Sequence, residues 1–340
     1  MKGLPKLPRM LVALAVVGFS VGIFEDAAAQ SRHWLDGTWK AVGGVSPDSP
    51  ELLNPLYLAA LDSLLVVYDF GDFAVKGFRR DGSLAWRFGR KGHGPGEFEA
   101  VADLQVDQSG DIWVTDASNL RIVILHPNGQ LARQVTLVDQ VWSALPARDK
   151  AFFAKRPLRT PFYDRLDSTG AQTQHLQLPK VFTGLDYNQA VQNAASGRWG
   201  FAVTALRWAS NVFVIDLTSG NVREFLGIDS LLPAGAISQR IKVPDGHGKP
   251  QAAVGHRIDP KASPVNEGVT LDHSYVYLLI RGAADRTRRV IDRHRLSDGS
   301  YDGSFVLPSK AAAIVRTARG FAVLVNDPTP RIDLLEWIAK

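Results

Sequence analysis

Short stretches rich in Val, Leu, Ile, Phe and Trp recur from residue 39 onward, each closed by a polar residue or by Gly. Runs of this length, bounded by Gly, Asn and Asp, read as β-strands joined by tight turns. Residues 39–84 align with 86–131 without a gap. Trp39 falls on Trp86, Val67 on Val114, Asp69 on Asp116, Gly82 on Gly129 and Leu84 on Leu131. In each copy a run ending in Asp (Leu64–Asp69; Asp111–Asp116) precedes a second run (Phe73–Phe78; Leu120–Leu125). A polar-Gly turn follows (Asp81-Gly82; Asn128-Gly129), then a strand opening at Leu84 or Leu131. Gly is needed at such hairpin turns because they demand positive φ.

The frame recurs more loosely four times. Its third copy holds Ala151–Lys155 and Tyr163–Asp167, and its fourth Gly200–Ala205, Asn211–Asp216 and Val222–Leu226. The fifth holds Val269–Asp272, Val276–Ile280 and Arg289–Arg293, and the sixth Ala312–Arg316, Phe321–Val325 and Arg331–Leu335. Each copy predicts a four-stranded antiparallel meander of roughly 40–50 residues, the size of a propeller blade. The sixth copy lacks a fourth strand, whereas Trp39–Val42 is a fourth strand with no blade before it. An all-β, six-bladed β-propeller, closed by the N-terminal strand completing the last blade, reconciles the two and leaves no sheet edge exposed. The expected domain is residues 30–340, with a large insertion, 227–264, between the fourth and fifth blades.

Residues 1–29 read as a signal peptide. Lys2, Lys6 and Arg9 precede the apolar run Met10–Phe24, and Ala27-Ala28-Ala29 supplies the small residues of a cleavage site. The run is shorter than the ~20 residues of a spanning helix. The expectation is therefore an exported protein, periplasmic or extracellular, without a membrane span after cleavage. The absence of cysteine excludes disulfides and a lipoprotein anchor. A formal net charge of +5 over 340 residues is too mild for a nucleic-acid binder, which carries a denser basic stripe.

Phe88-Gly89-Arg90-Lys91-Gly92-His93-Gly94-Pro95-Gly96-Glu97-Phe98, then Gly110–Asp116 and Asn119-Leu120-Arg121-Ile122, resemble an NHL repeat: a GPGEF loop, a "dG-x-[IL]-[WY]-V-x-D" strand and "N-x-R-[IV]". The match is specific over 88–131, partial over 39–87 and 264–336, and weak over 138–227. It implies a six-bladed propeller of the kind found among exported bacterial proteins, a family of peptide and protein binders, sensor-like domains and some metal-dependent lyases.

In this frame the connections between blades, and the turns between second and third strands, share one loop-rich face. Elaborated loops on one rim of a rigid scaffold are where binding residues concentrate. The candidate ligand-binding residues there are Arg90, Lys91, His93, Glu97, Asp116, Asn119, Arg207 and Trp208. Arg198-Trp199 and Arg207-Trp208, with Tyr187, suggest an aromatic-and-cation surface for sugars or peptides, or else tryptophans packed between blades. Asp69, Asp116 and Asp327 are either carboxylates converging on a ligand or acceptors of N–H bonds in their own turns, and their recurrence favours the second. Arg286, Arg288, Arg289, Arg293, His294 and Arg295 form a basic patch that suits an anionic partner or discourages strand addition. No nucleotide loop or nucleophile elbow is present. His93, His247 and His256, with Asp245 and Asp259, lack the spacing of a metal set. The expected function is binding of a protein, peptide or glycan by a monomer, with no cofactor, metal or catalytic residue. The rival is a metal-dependent lyase or lactonase-type hydrolase with a divalent ion at the channel mouth.

Overall fold

A computed structural model describes residues 31–147, 149–155, 163–176, 191–196, 199–229, 236–244, 250–258, 265–281 and 288–340, with strands 191–196, 236–244 and 250–258 described as backbone. All of its regular structure is β. Blade 1 is β2 (Pro55–Ala60), β3 (Leu64–Asp69), β4 (Ala74–Arg79) and β5 (Leu84–Phe88); blade 2 is β6 (Val101–Val106), β7 (Ile112–Asp116), β8 (Arg121–Leu125) and β9 (Leu131–Thr136). Blade 3 is β10 (Ser143–Pro146), β11 (Phe152–Lys155), β12 (Tyr163–Leu166) and β13 (Gln172–Leu176); blade 4 is β14 (Val191–Ser196), β15 (Phe201–Leu206), β16 (Asn211–Asp216) and β17 (Val222–Leu226). Blade 5 is β20 (Asn266–Leu271), β21 (Tyr275–Ile280), β22 (Val290–Arg295) and β23 (Tyr301–Val306). Blade 6 is β24 (Ala313–Arg316), β25 (Gly320–Val325), β26 (Arg331–Ala339) and, on its outer edge, β1 (Gly37–Val45). The insertion carries its own hairpin, β18 (Ala236–Pro244) with β19 (Pro250–Ile258).

The middle strands read as unbroken apolar runs because neighbouring blades cover both of their faces. β7 (IWVTD) and β8 (RIVIL) are buried throughout, whereas the outer β9 and β17 keep exposed positions. The core is accordingly six clusters, one at each blade-to-blade interface, rather than a single centre. The cluster of Leu58, Val67 and Phe78 from blade 1 with Leu324, Ile332 and Leu334 from blade 6 closes the ring. Closure is also made in hydrogen bonds, with Trp39 opposite Trp337, Ala41 opposite Leu335 and Val45 opposite Ile332. Trp39 packs edge-on against Trp337 at 4.7 Å and donates its indole N–H to Val306 O at 2.7 Å.

Residues before β1 add a further tie. Trp34 pairs in parallel with Ser304, and the Arg32 guanidinium sits between Asp292, at 2.9 Å, and Asp229, at 2.5 Å. The N-terminal segment therefore straps blade 5 before it completes blade 6.

Trp86 shows why the polar-Gly turns are conformationally strict. Its indole N–H donates to Pro127 O of the next blade, and a Cβ on Gly129 (φ +83°) would lie 2.5 Å from its ring. Asp327 does not belong with Asp69 and Asp116. Those two end the second strands of their blades, where blade 6 has Val325, and Asp327 is exposed beyond it.

Candidate functional site

Antiparallel meanders place the second-to-third-strand turns and the blade-to-blade connections on one face, here the upper face. The first-to-second-strand turns lie on the lower face. Asp69 and Asp116 are fully buried under the upper face and act as anchors. Asp69 accepts N–H bonds from Leu53, Asn54 and Gly71 at 2.7–2.9 Å and pairs with the buried Lys76 at 3.1 Å. Asp116 accepts from Ala100 N at 3.2 Å and from the Asn119 amide at 2.6 Å, with Arg121 at 3.5 Å. Both thus bind the incoming connection as well as their own turn, a wider role than an isolated Asx-turn.

Six of the eight sequence-predicted residues meet in blade 2. The Arg121 guanidinium donates to Gly94 O and Glu97 O, holding loop 90–98 down on the blade. Within the loop Glu97 accepts from Gly94 N and from Arg90, each at 2.8 Å, and these two contacts hold its carboxyl below the ordinary range. His93 Nδ1 lies 2.7 Å from Asn119 Oδ1, whose amide also donates to Gly92 O at 3.1 Å. Lys91 Nζ stands 5.1 Å over the Phe73 ring. These polar groups largely satisfy one another, so they shape the face rather than offer a set of open contacts.

Arg207 and Trp208 lie apart, in blade 4. Arg207 stacks over Trp208 at 5.8 Å and reaches Glu267 of blade 5 at 3.2 Å. Glu267 is nearly buried and also faces Arg281 at 2.8 Å and Arg288 at 3.7 Å. The basic patch expected over 286–295 is dispersed rather than one surface. Arg289 donates to Leu307 O, Arg293 lies 4.7 Å over the Tyr275 ring, and His294 is buried, which pushes its imidazole below the usual value. Arg286, Tyr187, Arg198, His247, Asp245 and Asp259, like the signal peptide, fall outside the described residues, and His256 falls on a strand described as backbone. Trp199 is 49% exposed, on the lower face, and is not a tryptophan packed between blades. Among the described residues no three His, Asp or Glu side chains converge to hold a metal ion.

Sequence reasoning missed an apolar patch on the upper face. Leu53 and Phe70 are 51% and 44% exposed, and Phe70 stacks on Phe73 at 4.8 Å. Phe73 and its repeat mate Leu120 both hold φ near +50°, a strained setting for a bulky residue. The available signal was Phe70-Gly71-Asp72-Phe73, two phenylalanines in a turn that is otherwise polar.

The inner strands β2, β6, β10, β14, β20 and β24 surround a central cavity of about 720 Å³. The Asp103 carboxylate is enclosed there, retaining an edge on the cavity, and accepts from Leu104 N at 2.9 Å, Gln105 Nε2 at 3.0 Å and Ser143 Oγ. Burial raises its pKa to about 6 against those bonds. Lys155, on the same wall, is 3% exposed. Burial lowers its ammonium to about 8, and the Asp103 charge opposes the shift. Because the Asp103 pKa is raised on folding, its contribution to stability is complete below pH ~4 and lost as pH rises through ~6. Lys155 contributes in full above its unfolded value and loses that contribution as pH falls through ~8. Comparing wild type with Asp103→Asn by urea unfolding at pH 4 and pH 6.5 should reveal a wild-type loss of about 2 kcal/mol that the variant lacks. Equal pH dependence in the two proteins would contradict this.

These features define a closed, six-bladed β-propeller with a built upper face and a polar channel. Its architecture is shared with solved structures of diverse function. Over 88% of this chain and 100% of theirs, the WD40 repeats of RRP9 superpose with a TM-score of 0.55 at 12% identity. A streptogramin B lyase matches with a TM-score of 0.51 at 14% identity, over 91% of this chain and 100% of that one. A member of the DUF4221 family from Bacteroides vulgatus matches with a TM-score of 0.53 at 10% identity, over the same shares of the two chains. At these identities the likeness is one of fold. No protein-family model matches the chain, and no curated protein sequence does. Among the described residues no helix is long and apolar enough to cross a membrane.

Proposed function

We propose that this chain is an exported, NHL-like propeller that works as a monomeric binding module, holding a protein or peptide partner on its upper face. The observation that carries the reading is the patch of Leu53, Phe70 and Phe73. Leu53 and Phe70 are exposed beside the half-buried Phe73, whose turn is strained, and Lys91 stands over the Phe73 ring. Aromatic residues are enriched at energetically dominant interface positions. Apolar side chains projecting from a rigid rim suit a protein or peptide better than a glycan. The test is a Phe70→Glu/Lys91→Glu variant immobilised beside wild type and exposed to periplasmic extract and culture fluid. Wild type should retain a partner that the variant loses, with unchanged far-UV circular dichroism. Retention by both would place the binding surface elsewhere. Arg90, His93 and Arg207 reversals serve as a second series on the same face.

Export is part of the proposal. N-terminal sequencing of the mature protein should begin at Gln30, two residues before the Arg32 strap. A mature chain beginning at Met1 would refute cleavage and point instead to a membrane-tethered extracytoplasmic domain.

A further inference from the structure

The channel opens on the lower face, away from the proposed partner surface, and its mouth has its own chemistry. Trp199, from the first turn of blade 4, is 49% exposed, and its ring meets that of the exposed His273 of blade 5 at 5.4 Å, edge to face. Both line the same cavity as Asp103, Gln105 and Lys155. An indole held at the rim of a concave site offers a broad apolar plane that costs little entropy to present. The wall behind it is polar, and its charges nearly cancel: Asp62, Asp103, Glu267 and Asp272 stand against Arg80, Lys155 and Arg316. Asp272 is bonded to Arg316 at 3.0 Å, and Asp103 shares its enclosure with Lys155. Such a wall has little net attraction for an ion. It does present charged donors and acceptors to neutral hydroxyl groups, and such bonds are the stronger kind. The volume, about 720 Å³, falls in the range of small-ligand sites, roughly 300–1,000 Å³.

We propose that the channel is a second binding site, entered from the lower mouth, for a neutral polyhydroxylated ligand of the short-oligosaccharide class, with Trp199 as its stacking platform. The C–H face of a sugar ring packs on the indole, while its hydroxyl groups reach the side chains of the Asp103 cluster. This site and the upper face stand or fall separately.

The probes are maltotriose, cellotriose and chitotriose, each titrated to millimolar concentration against the full mature chain by calorimetry and tryptophan fluorescence. At least one should bind saturably. Trp199→Ala should weaken it at least about tenfold, whereas Trp34→Ala, which removes an indole just as exposed but outside the cavity, should not. Wild-type protein saturated with that sugar should also show several-fold slower acetylation of Lys155 by acetic anhydride, read by mass spectrometry at pH 8. That measurement requires no variant to fold. Failure of all three sugars to bind, binding that persists in Trp199→Ala, or a Lys155 labelling rate indifferent to bound sugar would each overturn the proposal.

Discussion

A chain that starts after Val45 will not melt as a cooperative unit. Without β1 the edge of β26 loses its hydrogen-bonded partner, and Leu35, Trp39, Val42 and Val45 leave the clusters between blades 5 and 6 and between 6 and 1. Apolar side chains contribute about 1.5–3 kcal/mol each when fully buried, and Leu35, Trp39 and Val42 are only partly so. The loss is on the order of 5 kcal/mol, within the ~5–15 kcal/mol that separates a folded domain from its unfolded chain. The bared edge, flanked by Ile332 and Leu334, is also a template for intermolecular pairing. Thermal scanning and gel filtration should show a broad, low transition and soluble aggregates. A synthetic peptide of residues 31–45 should restore a sharp transition. A truncated chain that melts like the parent would refute the closure.

Asp69→Ala comes next in severity. Lys76 would remain buried, with only Asp72 at 2.9 Å and Glu51 O at 2.7 Å to hold its charge, and Leu53 N, Asn54 N and Gly71 N would lose their acceptor. Removing one partner of a buried pair costs about 3–5 kcal/mol. Urea unfolding should report that loss with little change in m. Adding Lys76→Met should recover part of it, since the uncompensated charge disappears while the backbone donors stay unmet. No recovery in the double variant would assign the whole cost to the backbone bonds.

The blade frame was legible because it rests on local pattern. Middle strands covered on both faces must be apolar, and hairpin turns must carry Gly, so blades 1 and 2 could be aligned residue by residue. The spare strand at Trp39 disclosed closure for the same reason. What escaped the sequence depends on which side chains different blades bring together. Lys155 ends the second strand of blade 3, the position held by Asp69 and Asp116 in blades 1 and 2. Nothing in blade 3 itself announces that a Lys there is offset by Asp103 of the blade before it. Likewise Arg207 was visible as a cation beside Trp208, but its engagement with Glu267 spans two blades. Arg90, His93, Glu97 and Asn119 lie together on one face, and their mutual bonds follow from the fold of loop 90–98 over the Asp116–Asn119 turn rather than from spacing.

Pairing β1 with β26 makes the earliest strand of the domain wait for the last. A nascent chain short of Arg331–Ala339 is an open fan whose two end blades have each lost a neighbour, and no vectorial order of synthesis or passage through a pore can avoid that stage. Completion becomes a single late event that needs both ends of the domain present together. A domain built this way cannot close its ring until Arg331–Ala339 is available to Gly37–Val45.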